Sequence, residues 1–296
     1  MPEKPREAAS LLALRDSDSG PEIYMVRRHP RSAFMANALV FAGGRVDAHD
    51  RSPEAIARCT GITAQQAAQR LGLDDGQAAI ALYVAALREC FEEAGLLLAD
   101  GPLPGATGLS VLRGQLNRDE ITFAELLARH DLTLPLDRLR YLAHWITPDL
   151  RGFIPERPAG ARGTQVEHRR YDARFFVCRA PDGQEAEFDP VETTFGAWMT
   201  VGAILAGNRE RTLHLAPPTL TILEEIGDCR SVEQILSRAP DRPVPSIMPR
   251  PLLGRTRYPT LLFPGDHRYD DPGSAKGPVH CVELVDGCWV RKGEGG

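Results

Sequence analysis

The segment that most limits the fold is QAAIALYVAALRECFEEAG, residues 77–95. Apolar residues recur in it at helical spacing: Ile80, Val84, Leu87 and Phe91. This spacing predicts a helix whose apolar face lies against the core. Gly95 follows the last helical residue, where a C-terminal cap often takes a positive φ.

The polar end of this helix carries an acid cluster, Glu89, Glu92 and Glu93. Helical neighbours at i+3 and i+4 share a face, and like charges there destabilise a helix by about 0.2–0.5 kcal/mol per pair. A positive partner is therefore expected, and Arg88, four residues before Glu92, can brace that carboxylate. Three carboxylates beside a glycine-rich loop also form the oxygen-rich site that Mg²⁺ prefers.

Composition limits the class of protein. The 296 residues, 43% hydrophobic and 25% charged, are enough for one large globular domain or two small ones. A net charge of −5 gives no electrostatic support for a nucleic-acid partner. We expect no membrane partner, because no apolar run of about 18 residues is present. Without a signal peptide or C-x-x-C spacing among six cysteines, we expect reduced thiols, no zinc site and a cytoplasmic location.

Strand patterns lie on both sides of the long helix. Those before it are AASLLALRD, EIYMVRRHP and ANALVFAGG, and those after it include LRYLAHWIT, RRYDARFFVCRA and FGAWMT. Short helices are expected in SPEAIARC and in TAQQAAQRLG, with Thr63 as an N-cap. Further helices, VGAILAGN, APPTLTILEEIGD and SVEQILSRA, precede a strand-like end, and PLPGATG is expected to be a loop. This mixed order predicts an α/β fold.

RECFEEAGL matches the second half of a known signature, G-x5-E-x7-R-E-U-x-E-E-x-G-U with U apolar, at every specified position. GRVDAHD matches the first half from Gly44, with Asp50 in place of the usual glutamate. The chain thus resembles the Nudix hydrolases. The resemblance implies the Nudix fold, a mixed β-sheet between helices. Residues 51–87, 37 in number, separate Asp50 from Arg88, where the signature has seven.

An insertion at this place is typical of the Nudix branch that includes the peroxisomal coenzyme A diphosphatases. VFAGGRVDA, HWITP, RRYDARFF, VETTFGAW and LAPPTL also resemble segments of that branch, over about residues 10–225. The expected organisation is a Nudix domain over 1–230, with a helical insertion at about 51–78 beside the active-site mouth. A C-terminal extension, 231–296, is expected to pack on the same domain.

The resemblance also implies a metal site. Mg²⁺ or Mn²⁺ would be held by the carboxylates of Glu89, Glu92 and Glu93, with the Gly43 carbonyl as a further ligand. Gly44 would let the backbone approach the diphosphate without a Cβ clash. The catalytic set would be Arg88, Glu89, Glu92, Glu93 and Glu192. Glu192 would assist the metal or act as base, or be a surface loop residue. Asp50 would either act at the site or only hydrogen-bond the loop.

The implied reaction is hydrolysis of the diphosphate of coenzyme A or acyl-CoA, giving 3′,5′-ADP and (acyl-)phosphopantetheine. The candidate phosphate-binding residues, with solvated arginines as the alternative, are Arg27, Arg28, Arg31, Arg169 and Arg170. Ordinary strand or loop positions are expected for His144, His168 and His214. The alternatives are an ADP-ribose or nucleotide-sugar diphosphatase, and a Nudix-fold nucleotide-binding regulator without turnover. A homodimer stays open.

Overall fold

The computed structural model describes residues 4–30, 32, 35–150, 169–191, 193–253, 256–273 and 277–292. The strands are β1 (Arg6–Ser17), β2 (Gly20–Arg28), β3 (Leu39–Val40), β4 (Ala42–Arg45), β5 (Cys59–Thr60), β6 (Leu134–Pro135), β7 (Arg140–Ile146), β8 (Tyr171–Arg179), β9 (Thr193–Thr200), β10 (Ser246–Ile247), β11 (Arg250–Pro251), β12 (Thr260–Leu262), β13 (Cys281–Val285) and β14 (Cys288–Lys292). The α-helices are α1 (Pro53–Ile56), α2 (Ala64–Leu71), α3 (Gly76–Ala94), α4 (Ala106–Asn117), α5 (Phe123–Arg129), α6 (Val201–Arg209), α7 (Pro217–Glu225) and α8 (Val232–Arg238).

A mixed sheet in the order β10-β7-β8-β1-β2-β3 forms the centre of the fold, with β4 paired to β1 and β9 paired to β2. β1 is parallel to β8 and antiparallel to β2 and β4. Its side chains alternate between two cores, Leu11 on the side of α3 and Leu12 on the side of α7. A strand buried on both faces reads as a nearly continuous apolar run, as AASLLALRD does. The expected sheet between helices is confirmed.

The long helix is confirmed as α3, and its four predicted core residues are each no more than 2% exposed. Asp75 caps its N-terminus by accepting from the backbone N–H groups of Gln77 and Ala78. Gly95 ends it at a φ of 71°, as expected. The structure buries α3 nearly all round rather than on one face. Side chains of α2, α4 and α5 cover its outer side: Ala67, Leu71, Leu112, Leu116, Leu126 and Leu127.

The insertion forms α1, α2 and the short strand β5, which pairs with β6. Thr63 caps α2 as predicted, because its hydroxyl accepts from the Gln66 backbone N–H while the Gln66 side chain accepts from the Thr63 N–H. The expected position beside the active-site mouth stays a prediction. Residues 51–78 are all described, and none of them lines the cavity at the candidate site. Ala67 and Leu71 of the insertion pack in the core around α3.

Two local predictions fail for identifiable reasons. ANALVFAGG is not one strand, because β3 pairs with β2 while β4 pairs with β1. Buried Phe41 is the residue between these two strands. PLPGATG is a loop only to Gly105, where α4 begins. Gly108 and Gly114 lower the helix propensity of this segment, but burial of Leu112 and Leu116 outweighs that effect.

The C-terminal residues contribute to both layers of sheet. β10 joins the central sheet by parallel pairing of Ser246 with His144. β11 to β14 form a separate four-stranded antiparallel sheet whose Leu261 and Val282 belong to the second core. The domain boundary at residue 230 stays a prediction. Within the described part of the chain, every helix is too short or too polar to cross a membrane.

Candidate active site

The C-terminal end of α3 lies against the glycines of β4. The backbone N–H of Gly43 donates to Glu93 Oε2 at 2.9 Å. A Cβ atom on Gly44 would collide with the carboxylate of Glu89, and one on Gly43 would lie 2.6 Å from the Ala9 carbonyl oxygen. Only glycine therefore lets this strand approach both β1 and the acidic helix so closely.

Arg88 is the cation at the centre of the acid cluster. Its Nε and Nη2 donate to the two carboxylate oxygens of Asp50 at 2.8 and 3.0 Å. Its Nη1 donates to Glu89 Oε1 at 2.9 Å and to Glu92 Oε2 at 2.7 Å, so it braces Glu92 as expected. Nη2 also donates to the carbonyl of Arg45 at 2.9 Å.

Asp50, only 1% exposed, is an anchor for Arg88. Its Oδ2 also accepts from the backbone N–H of Asp47 at 2.8 Å. A 3₁₀ turn at Ala48–Arg51 carries this carboxylate. The structure thus assigns Asp50 more than a bond to its own loop, because it joins that loop to α3.

The cluster has more negative than positive charge, since Arg88 bonds three carboxylates, Asp50, Glu89 and Glu92, and the carboxylate of Glu93 lies beside Gly43. Burial raises the pKa of Glu92, the charges of Glu89 and Asp50 add to the rise, and Arg88 opposes it. Burial alone would lower the pKa of Arg88, but its hydrogen bond to Asp50 and the nearby carboxylates outweigh that effect and raise it. Arg88 therefore stays charged, and a further cation would neutralise the remaining negative charge.

The donor set agrees with a hard divalent cation in atom type and charge, because Mg²⁺ and Mn²⁺ bind carboxylate oxygens. In the chain as far as it is described, no group of three or more acidic, histidine or cysteine side chains is placed to hold a metal ion. Glu89 and Glu92 both accept from the same atom of Arg88 instead. Binding a cation therefore requires a change in at least one of these carboxylates. The Gly43 carbonyl as a ligand stays a prediction.

A cavity of about 840 Å³ opens beside the acid cluster. Gly43, Gly44, Arg88 and the three glutamates line one end of it. Of the predicted arginines, Arg28 and Arg169 line the cavity. Such a volume is typical of sites for small molecules.

Arg27 and Arg170 have other contacts and do not line this cavity. Strand alternation turns Arg27 to the face opposite Arg28, and its guanidinium lies 5.1 Å from the centre of the Phe195 ring. The Nε of Arg170 donates to the carbonyl of Thr147 at 2.9 Å. For both residues, contact with a substrate phosphate stays a prediction.

Two further candidates, Arg31 and Glu192, lie outside the described residues, and so does His168, which was expected to be an ordinary residue. His144 is a strand residue with Nε2 2.6 Å from Asp172 Oδ1. His214 lines the cavity, and its Nδ1 is 3.0 Å from the carbonyl oxygen of Gly287. It lies in a loop, as expected.

Sequence reasoning missed several residues near the site. Arg45 and Asp189 line the cavity, and the Asp189 backbone N–H donates to the Glu93 carbonyl at 3.2 Å. Arg113 and Asn117 donate to the Glu92 carbonyl at 2.8 and 3.4 Å, and both belong to the unpredicted α4. The only signal was the position of Asp189, three residues before Glu192.

A family model described as the NUDT19 Nudix domain matches residues 6–226. The human protein named acyl-coenzyme A diphosphatase NUDT19 is 26% identical over 254 residues, which are 73% of this chain and 63% of that protein. The chain thus spans less than two thirds of the human relative. The protein of that name from Gallus gallus is 29% identical over 321 residues, 90% of this chain and 80% of that protein.

Among solved structures, a NUDIX hydrolase from Alicyclobacillus acidocaldarius superposes with a TM-score of 0.61 at 24% identity. The match covers 79% of this chain and 96% of that chain, and it shows a common fold. The fold expected from the resemblance is therefore confirmed. With the family model matched over most of its length, the chain belongs to the Nudix family, in the group described by the NUDT19 Nudix domain.

Proposed function

We propose that this protein is a metal-dependent hydrolase of the diphosphate in coenzyme A or acyl-CoA. The products are 3′,5′-ADP and (acyl-)phosphopantetheine. The observation that carries the proposal is the acid cluster at the end of α3: Asp50, Glu89 and Glu92 accept from Arg88, and Glu93 accepts from Gly43 of β4. The names of the human and Gallus gallus relatives support the substrate class.

Glu89, Glu92 and Glu93 would hold Mg²⁺ or Mn²⁺, which supplies charge at the phosphoryl oxygens and lowers the pKa of water. Arg88 and Asp50 fix the end of α3 and keep part of the negative charge neutralised. Gly44 leaves room for the Glu89 carboxylate beside the strand. We retain Glu192 as the candidate proton acceptor or additional ligand.

In the reaction, a water oxygen bonds to one phosphorus of the diphosphate, and the bond from that phosphorus to the bridging oxygen breaks. The water loses its proton, and the two phosphate products separate. No group in this scheme needs to change its oxidation state. Preorganised charge and positioning therefore supply the catalysis, as is general for transfer to water at phosphorus.

Arg28 and Arg169 are the proposed contacts for substrate phosphates, with Arg45 as a third. A guanidinium can donate two parallel hydrogen bonds to a phosphate, so one of these residues can recognise the 3′-phosphate of CoA. Alanine substitution of that residue should remove the preference for CoA over dephospho-CoA.

The test is a substrate panel of CoA, dodecanoyl-CoA, dephospho-CoA, ADP-ribose and a nucleotide sugar, with Mg²⁺, with Mn²⁺ and with EDTA. Chromatography of 3′,5′-ADP measures cleavage of CoA and dodecanoyl-CoA. Chromatography of the nucleoside monophosphate measures cleavage of dephospho-CoA, ADP-ribose and the nucleotide sugar. The proposal requires the highest kcat/KM for a CoA substrate. Faster cleavage of ADP-ribose would support the alternative diphosphatase, and binding without turnover would support a nucleotide-binding regulator.

A further inference from the structure

The cavity beside the acid cluster has two chemically different ends. Carboxylates and Arg88 line the end at α3 and β4. The other end receives Leu261, Leu284 and Trp289 from the C-terminal sheet of β11 to β14. Within the described residues, no side chain that this sheet contributes to the cavity is charged. One small molecule that spans the cavity would thus need a strongly polar end and an apolar end.

This apolar wall is built into the folded core. Leu284 and Trp289 are opposite each other in the β13–β14 pair. Phe263, which follows β12, packs edge-on against Trp145 of β7 at 5.3 Å between ring centres. Arg291 Nε of β14 donates to Glu224 Oε2 of α7 at 2.8 Å. The wall is therefore fixed to both the central sheet and a helix.

Trp145 adds a polar group to the apolar end. It lines the cavity and is 3% exposed, and its indole N–H has no hydrogen-bond partner among the described residues. Buried donors are normally paired, so an acceptor supplied by a ligand would complete this one. The pantetheine arm of CoA carries amide carbonyls between its diphosphate and its sulfur, and each of them is such an acceptor.

We propose that the C-terminal sheet forms a subsite for the tail of the substrate, in which Leu261, Leu284 and Trp289 contact an apolar acyl chain on the sulfur. The proposal rests on the proposed function for the position of the diphosphate. Continuity of one cavity from the acid cluster to this wall supports an acyl chain as the occupant. The matched family region ends at residue 226, before this sheet begins, so the subsite would be an addition to the Nudix domain.

The first test measures kcat/KM for CoA, acetyl-CoA, octanoyl-CoA and dodecanoyl-CoA. For the wild type, kcat/KM should rise as the acyl chain lengthens, because KM falls. The gain should be up to about fourfold for each methylene that becomes buried. Leu284→Ala should reduce this gain, and Leu284→Trp should fill the space and abolish it for dodecanoyl-CoA. Two variants of opposite volume keep the test valid if one of them folds poorly.

The matched control is Val282→Ala. Val282 is two residues from Leu284 on the same face of β13, is fully buried, and does not line the cavity. This substitution should lower stability yet keep the wild-type dependence on chain length. If Val282→Ala and Leu284→Ala changed that dependence equally, the effect would be general loosening of the sheet and the subsite would be overturned.

The second test separates the subsite from the reaction. Calorimetry measures binding of dodecanoyl-pantetheine, which has no diphosphate, to the wild type and to Leu284→Trp. If dodecanoyl-pantetheine binds the wild type at least about tenfold more tightly than it binds Leu284→Trp, the subsite is supported. This holds even if no CoA substrate is cleaved and the proposed function fails. Cleavage of CoA with equal kcat/KM at every chain length, and no binding of dodecanoyl-pantetheine, overturns the subsite while the proposed function stands.

Discussion

Arg88 and Asp50 form a buried ion pair with two parallel hydrogen bonds, of 2.8 and 3.0 Å, although 37 residues separate them in the chain. The long insertion is therefore a loop whose two ends are joined at the acid cluster. Closing a longer loop costs little, about 0.6 kcal/mol for each doubling of length. This relationship explains how the two halves of the signature stay together across the insertion.

We expect Asp50→Asn to destabilise the fold and to impair catalysis. Asparagine lacks the charge and offers Arg88 one acceptor oxygen in place of two, and a hydrogen bond to a charged group contributes about 1.5–3 kcal/mol. Arg88 would then be less well fixed beside Glu89 and Glu92, so kcat should fall while the KM for CoA changes less. Urea unfolding and steady-state kinetics measure the two effects. A loss of stability below about 0.5 kcal/mol would show that the pair does not anchor α3.

Gly44→Ala should lower kcat by at least about tenfold, because the new Cβ would collide with the Glu89 carboxylate and displace it. Gly202 of α6 offers a control, since a Cβ there has no neighbour within 4 Å. Gly202→Ala should keep wild-type kcat and gain up to about 1 kcal/mol in stability. Equal kcat for both variants and the wild type would disprove the close packing of Glu89 against β4.

Arg113→Ala should loosen the C-terminal end of α3, because the guanidinium donates to the Glu92 carbonyl at 2.8 Å. A cation at a helix C-terminus contributes about 0.3–1 kcal/mol, so the stability loss should be small. The fall in kcat, expressed as a free energy, should exceed this loss of stability, since Glu92 is in the acid cluster. Asn117→Ala removes a longer contact, 3.4 Å, to the same carbonyl and should have the weaker effect. A larger effect for Asn117→Ala would contradict this account.

Leu71→Ala tests the role of the insertion. Leu71 of α2 is 4% exposed in the core that surrounds α3, so its truncation should cost about 2–5 kcal/mol. The KM for CoA should not change, because no residue of 51–78 lines the cavity. Chemical denaturation and steady-state assays of the same preparation measure both quantities. A raised KM with unchanged stability would instead indicate that the insertion affects substrate binding at the active-site mouth.

The sequence was most informative where structure depends on local spacing. The helical period of Ile80 and Phe91, the Thr63 cap and the left-handed Gly95 are all decided within a few residues, and each is found in the structure. The association of Arg88 with Glu92 is equally local, at one helical turn. These features are predictable because they need no knowledge of tertiary contacts.

Features that depend on tertiary contacts were not predictable in this way. Arg27 and Arg28 are adjacent in sequence, yet pleating sends only Arg28 to the cavity. Arg113 contacts α3 from α4, a helix that was not predicted because its glycines lower helix propensity. Trp145 has the pattern of a core residue, and only the fold shows that it also lines the cavity. Chain neighbours alone do not determine such positions.

The most direct test of the account is release of 3′,5′-ADP from CoA by the wild type and by Glu93→Gln at saturating Mg²⁺. Glu93 is 5% exposed and accepts a hydrogen bond from the Gly43 N–H. The substitution removes a charge with little change in volume. We predict that EDTA stops the wild type, that Mg²⁺ restores it, and that the variant loses about a hundredfold or more in kcat with an unchanged unfolding transition. A variant within twofold of the wild type would contradict the assignment of the acid cluster as a catalytic metal site.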